Sequence, residues 1–305
     1  FDFDPTKKYP IIAEVYPGPQ TEGVSHSFSA SNGRQQLAQI GFIVVQLGHR
    51  GGTPGRSKAY HSYGYYNLRD YGLADKKAGI EQLAEMYPFI DIERIGIYGH
   101  SGGGFMSAAA LLQEPYNDFF TVGVASSGNH DNNVYGRHWA ERYHGLKEVA
   151  VKEKDKDKQG KDQGKSDTSS AFDDDDEKKG EDENKDTKKD DVKKEDDEQK
   201  KDEKDDEEKT RFEIHVPTNA ELAANLKGKL LLVHGDMDNN VHPAGTMRLV
   251  SELIKANKRF DMLIFPGKRH GFGDFSGYFT QRKWEFFAEH LLGDHQTGAD
   301  ILIKQ

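Results

Sequence analysis

Residues 96–106 read GIYGHSGGGFM, and within them Gly99-His100-Ser101-Gly102-Gly103 has the form G-x-S-x-G. A serine hydroxyl is a weak nucleophile unless a base lies within hydrogen-bond reach and a third group orients that base. The spacing matches a nucleophile elbow, in which a strand ends, the serine occupies a strained turn and a helix begins. Both flanks fit. RIGIYG is a short apolar run closed by glycine, which suits a buried strand, and FMSAAALLQ is rich in alanine and leucine, which suits a helix. Gly99 and Gly103 supply small neighbours where strand and helix crowd together. Glycine-rich turns of this kind also cradle phosphates, but neither G-x-x-x-x-G-K-[ST] nor G-x-G-x-x-G occurs here.

An elbow needs a sheet behind it. YPIIAEVYPG and QIGFIVVQLG each hold a β-rich apolar run, and Asn67 to Tyr87 places Leu68, Tyr71, Ala74, Ala78, Leu83 and Tyr87 at near-helical spacing. After the elbow come FTVGVASSG and KLLLVHG, a helix from Pro243 to about Asn257, a strand in FDMLIFPG and a last helix over about 278–292. Strands alternate with helices throughout. That order predicts an α/β fold with a mostly parallel sheet covered by helices on both faces, and catalytic groups at the carboxyl ends of the strands.

Those strand ends are where partners for Ser101 belong. Of 13 histidines, His270 in FPGKRHGF follows the last predicted strand, and Asp236 and Asp238 in LLLVHGDMDNNV follow the one before it. Serine, then aspartate, then histidine is the chain order of the α/β-hydrolases. Spacing alone does not separate Asp236 from Asp238. His100 adjoins the serine and His234 ends a strand, and structural hydrogen bonding is the expected role of both.

The charge of the chain is concentrated in one place. The 305 residues contain 42 Lys and Arg against 52 Asp and Glu, a net charge of −10. Residues 151–210 hold 17 of the lysines and 26 of the acids, leaving a nearly neutral remainder. A segment of that composition cannot bury enough apolar surface to offset the entropy of ordering, so a disordered insert at 151–210 is expected within an enzyme domain spanning 1–305. No cysteine is present, which excludes disulfides and thiolate metal sites. No apolar run approaches the roughly 20 residues that span a bilayer, and no basic stripe points to nucleic acid. The opening FDFDPTKKYP, without Met, reads as cut from something longer, and the sequence carries no targeting information of its own.

The segments KKYPIIAEVYPGP, GHSGGG, WAERYHGL, LLLVHGDMDNNVH and RHGF, in that order, resemble the catalytic domain of the prolyl oligopeptidase family of serine peptidases, in its dipeptidyl peptidase IV-like branch. The resemblance covers nearly the whole chain except the insert. It implies an α/β-hydrolase fold and a serine peptidase acting on short peptides, with post-proline or related dipeptidyl or oligopeptidase specificity. It selects Asp238, three residues before the valine of D-x-N-V, as the third member of a Ser101–His270–Asp238 triad. It assigns the oxyanion donors to the Gly102 backbone N–H and the Tyr16 phenol, where the residues alone suggest for Tyr16 an aromatic packed at a strand end. It places Tyr135, Trp139 and Val241 in an apolar pocket for a proline side chain and gives Asn240 the substrate carbonyl. Two positions depart from the family: Gly102 stands where tyrosine is frequent, and Asn132 replaces a pocket aromatic. Both remove apolar wall, and a difference of a few methylenes shifts selectivity by about 1–3 kcal/mol. No cofactor and no metal are expected, and a homodimer is one assembly considered; the resemblance further implies a β-propeller N-terminal to this chain in the full-length protein and a periplasmic or secreted location.

Two other functions remain to be weighed. A carboxylesterase could use the same triad, since fold and triad do not choose the acyl group; Asn240 and Tyr16 favour a peptide. A non-catalytic interaction module could work through the acidic insert, and the presence of every expected triad member argues against it. Replacing residues 152–209 with a short Gly/Ser linker is expected to leave a soluble protein with cooperative thermal unfolding, because the flanking segments already account for the sheet. Loss of the cooperative transition would show that the segment is structural.

Overall fold

The computed structural model describes residues 3–150 and 210–295. Residue contacts divide the chain into two units, Phe1–Leu146 with Ile214–Gln305, and Lys147–Glu213. Apart from Thr210, the charged segment 151–210 lies outside the described residues.

The larger unit is built on six strands: β1 (Tyr9–Glu14), β2 (Ile43–Val45), β3 (Ile90–His100), β4 (Val122–Ser126), β7 (Lys229–Gly235) and β8 (Asp261–Phe265). They lie in the order β2-β1-β3-β4-β7-β8, and every pairing is parallel. Side chains alternate across the sheet, so each strand feeds two cores. Ile11, Ala13, Ile95, Ile97, Ala125, Leu230 and Leu232 pack on one face. Ile12, Tyr98, Val122, Val124, Leu231 and Val233 pack on the other. This is the arrangement of an α/β-hydrolase, and it explains why these strands read as unbroken apolar runs rather than as alternating ones. In the smaller unit, β5 (Lys147–Ala150) pairs antiparallel with β6 (Thr210–Glu213), Lys147 facing Glu213. Their mostly exposed side chains leave no apolar signal in the sequence.

Among the helices, Gly102–Leu112 is buried from Gly103 to its end. A helix enclosed on all sides must be apolar all round, and the run of alanines and leucines is what such a position requires. Its glycines set how close it comes. A Cβ on Gly103 would strike the Val15 carbonyl at the end of β1, and one on Gly104 would strike the Ser126 carbonyl at the end of β4. A Cβ on Gly102 would meet only ordinary contacts at 3.8–3.9 Å.

Two helices differ from expectation. The segment expected to be helical from Asn67 begins its helix at Leu73, capped by Gly72, and runs to Met86. Leu68 and Tyr71 are buried as the spacing suggested, but they sit in a preceding turn and join a satellite cluster with Ala140 and Val216. Near-helical spacing records burial here, not helix. The last helix runs Ser276–Phe287 and continues as a π-helical turn over Ala288–Leu292.

Gly103→Ala is expected to lower stability by roughly 1–3 kcal/mol, the usual cost of forcing a methyl into a close-packed contact. Gly102→Ala should change it far less. Urea unfolding midpoints of the two variants test the distinction.

Candidate active site

A parallel sheet delivers the ends of its strands to one edge, and there the chain gathers Tyr16 after β1, Ser101 after β3, Asp238 after β7 and His270 after β8. Ser101 has φ 59° and ψ −121°, a left-handed conformation that a serine adopts only where its surroundings enforce it. Its N–H donates to the Ser126 carbonyl at 2.8 Å, and its carbonyl accepts the first helical bond, from Phe105 N–H at 3.0 Å. The N–H groups of Gly102 and its neighbours therefore lie in the first helical turn, where intrahelical acceptors do not exist. They are donors available to an oxyanion.

His270 has further to come. Three strand spacings separate β3 from β8, roughly 14 Å, so the loop after β8 must double back across the ends of β7 and β4. Gly267 turns it with φ 69°, and its N–H donates to Asp236 Oδ1 at 2.6 Å. Met237 N–H donates to the Lys268 carbonyl at 3.0 Å. The absence of a side chain on Gly235 lets this loop cross the end of β7, since a Cβ there would strike the Lys268 and Arg269 carbonyls.

The loop ends in a hydrogen bond of 2.7 Å between His270 Nδ1 and Asp238 Oδ2. Asp238 is buried, and its other oxygen accepts the N–H groups of Asn240 and Val241, both at 2.9 Å. Burial alone would raise its pKa; the His270 hydrogen bond and the two backbone donors outweigh it and hold the carboxyl below its usual range. An ionised Asp238 fixes the proton of His270 on Nδ1, which leaves Nε2 as the free base.

The neighbouring histidines stay neutral. His234 is enclosed, with Nδ1 2.7 Å from Thr246 Oγ1 and Nε2 2.9 Å from the Val241 carbonyl, and burial lowers its pKa. Its Nε2 also lies 3.3 Å from Asp238 Oδ2, but a neutral ring donating to Val241 makes this a polar contact rather than an ion pair. The His100 ring packs 4.6 Å from that of His270, and its Nδ1 lies 3.0 Å from Ser126 Oγ. Burial, reinforced by the His270 charge, lowers its pKa to about 4. Neither ring then adds a positive charge beside Asp238.

Beside the elbow is a narrow slot of about 40 Å³, lined by residues including Tyr16, Ser101, Gly102, Phe105, Tyr135 and Trp139. The Tyr135 and Trp139 rings meet edge to face at 5.7 Å. Both oxyanion candidates therefore border the same space as the serine. Asn240 and Val241 do not line it: Asn240 is exposed, Val241 is buried, and the contribution of each is a backbone N–H to Asp238. Asn132 is fully buried and hydrogen-bonds to Asn129, so it stands behind the slot rather than in its wall. Asn129 does line the slot, and sequence reasoning missed it because SSGNHDNN offers no spacing signal. Asp236 is exposed and serves the turn at Gly267. Among the described residues no group of three or more His, Cys, Asp or Glu could hold a metal ion, and no helix is long and apolar enough to cross a membrane.

The profile of the prolyl oligopeptidase family matches residues 27–160 and 183–294. Dipeptidyl peptidase 8 of Mus musculus and of Homo sapiens are each 28% identical to the chain over 271 residues, covering 88% of it and 24% of their own length. The crystal structure of Porphyromonas gingivalis dipeptidyl peptidase 4 superposes with a TM-score of 0.66 at 24% identity, covering 95% of this chain and 32% of that one. The chain thus spans about a quarter of the length of the two dipeptidyl peptidase 8 sequences.

Asp238→Asn should slow reaction of Ser101 with a fluorophosphonate by about 10⁴-fold, because the amide selects the wrong histidine tautomer. Asp236→Asn should slow it less than about tenfold, as expected of a loop anchor outside the proton relay. Since the folded pKa of Asp238 is depressed, its carboxylate stabilises the fold above the unfolded value near 3.8, and that contribution is lost as pH falls through the folded one. The stability gap between the wild type and Asp238→Asn should accordingly close on acidification, as measured by urea unfolding at several pH values.

Proposed function

Because the chain belongs to the prolyl oligopeptidase family, we propose that it is a serine peptidase domain that cleaves short peptides, with post-proline or related dipeptidyl specificity, through Ser101, His270 and Asp238. The observation that carries this reading is the 2.7 Å bond from His270 to a buried, ionised Asp238, set at the same sheet edge as the strained turn at Ser101. In the proposed reaction His270 Nε2 takes the Ser101 proton as Oγ attacks the carbonyl carbon. The peptide C–N bond then breaks, the acyl group remains on Ser101 as an ester, and His270 returns the proton to the departing amine. Water repeats the sequence to release the acid. The tetrahedral oxyanion is met by the Gly102 N–H and the Tyr16 hydroxyl.

The slot supports a compact side chain on the acyl side. Its volume of about 40 Å³ and its Tyr135–Trp139 wall suit a small or cyclic aliphatic group better than an aromatic one. Cleavage two residues from an amino terminus further requires a group that holds the ammonium at a fixed distance from Ser101. In this reading that group lies on a β-propeller preceding the chain in the full-length protein, and a homodimer is compatible with it. Orientation of this kind accounts for several kcal/mol of a barrier, so the chain by itself should be a competent esterase and a poor, weakly selective peptidase.

Two measurements test the proposal. Turnover of an amino-free Gly-Pro anilide, its acetylated counterpart and an activated acetate ester is compared with Ser101→Ala as blank. Ester hydrolysis dependent on Ser101, with little discrimination between the anilides, is expected; efficient cleavage that requires the free amine would put the ammonium clamp inside these residues. Tyr16→Phe should lower turnover by roughly 100- to 1000-fold with far less effect on substrate binding, the scale of losing one oxyanion donor. Unchanged turnover in a folded variant would reduce Tyr16 to packing.

A further inference from the structure

A second cavity, of about 300 Å³, shares only Tyr16 with the slot. It lies against the other face of the sheet, where Glu14, Tyr98, His100, Ser126, Phe279 and Lys283 form much of its lining. Its lining holds one carboxylate, Glu14, and one ammonium, Lys283, which do not form a close ion pair. Glu14 is already engaged, with Oε2 accepting from Arg34 at 2.7 Å and from Gln46 at 2.9 Å. Lys283 projects its ammonium 4.3 Å from the centroid of the Tyr98 ring and 5.7 Å from that of Phe279. Among the described residues no carboxylate lies within 4.0 Å of it. Aromatic faces attract a cation without neutralising it. Burial, offset in part by Glu14, brings the Lys283 pKa down to about 8, so the group is cationic near neutral pH but poorly solvated. An anion entering the cavity would replace the lost hydration.

The position of the cavity says which anion. His270 must hand its proton to the amine expelled from the substrate carbonyl carbon as the acyl group stays on Ser101, so the leaving group departs beside the imidazole. His100, whose ring touches that imidazole at 4.6 Å, is part of the wall of this cavity. The slot, with Ser101, Phe105 and Trp139, takes the opposite, acyl side.

We propose that this second cavity receives the leaving-group side of a short peptide and that Lys283 pairs there with the peptide's free terminal carboxylate. This rests on the peptidase reading above and adds to it a preference for short substrates with an unblocked carboxyl end.

The test uses the whole chain carrying Ser101→Ala, so that binding is read without turnover. Gly-Pro-Ala and its carboxyl-terminal amide are titrated and followed by protein NMR. The acid should bind roughly ten- to a hundredfold more tightly than the amide, the range expected of a hydrogen bond to a charged group. Lys283→Met, and Lys283→Gln should the first not fold, should bring the acid down to the amide, whereas Lys283→Arg should keep the preference. Equal binding of acid and amide, or a preference that survives loss of the lysine charge, would overturn the proposal. Sodium acetate distinguishes a free anion from a peptide terminus. Acetate that binds through Lys283 but is not displaced by Gly-Pro-Ala would also overturn it. Failure of the peptidase reading is seen separately, as ester hydrolysis dependent on Ser101 with no cleavage of either Gly-Pro anilide above the Ser101→Ala blank, and leaves the acid–amide comparison to decide the role of Lys283.

Discussion

The close approach of three backbones at Ser101 is the constraint on which the site depends. The left-handed turn directs the serine N–H to the Ser126 carbonyl at the end of β4, while the Val15 carbonyl at the end of β1 presses against Gly99 and Gly103. A residue with φ near 60° that is not glycine sits in a conformation costing of order 1–3 kcal/mol, and it persists because the surrounding packing over-determines it. That packing comes from the helix Gly102–Leu112, enclosed along nearly its whole length. Strain at the serine and burial of the helix are two sides of one arrangement.

From that fixed point the proposed relay is assembled by chain that travels back toward it. The loop after β8 recrosses two strands and is held on the way by a backbone bond at Met237 and by the Asp236 carboxylate at Gly267, so His270 arrives on a tether rather than a free loop. Asp238 waits with one oxygen saturated by backbone N–H groups and one left for the imidazole. The same donors that orient the carboxylate also keep it ionised inside the protein. Neutral His100 and His234 surround the pair with polar contacts and add no charge.

Much of this could be read in the sequence because elbow, strand runs and chain order each leave a local signature. GHSGGG between an apolar run and an alanine-rich run has few structural meanings, and each buried strand announces itself by composition. Other features have no local signature. Asp236 and Asp238 differ only in the direction they take out of one tight turn, where Asp238 N–H folds back to the Gly235 carbonyl, and spacing cannot report a direction. The false helical start at Asn67 arose because a buried turn and a buried helix face show the same periodicity over two residues. Lys283 leaves no local signal either, because a lysine within TQRKWEFF looks like a solvated helix face until Tyr98, 185 positions earlier, is seen beneath it.

Gly102 shows how the departures from the family pattern bear on Tyr16. A side chain there would lie 3.9 Å from the Tyr16 ring, so its absence leaves that ring without a wall on the elbow side. Support comes instead from behind. The Tyr71 hydroxyl donates to the Pro17 carbonyl, and Gly18 and Gly23 allow the following loop to close over the Tyr16 ring and carbonyl. Beneath that loop lies a buried polar group in which Lys76 donates to the Leu47 carbonyl and stands 3.2 Å from His49 Nδ1, while Tyr60 donates to Glu22. Burial, helped by the Lys76 charge, pushes the His49 pKa down to about 4, which keeps the ring uncharged next to that ammonium. The phenol proposed to meet the oxyanion is thus placed by residues far from the reacting atoms, and the open space at Gly102 remains available to the substrate.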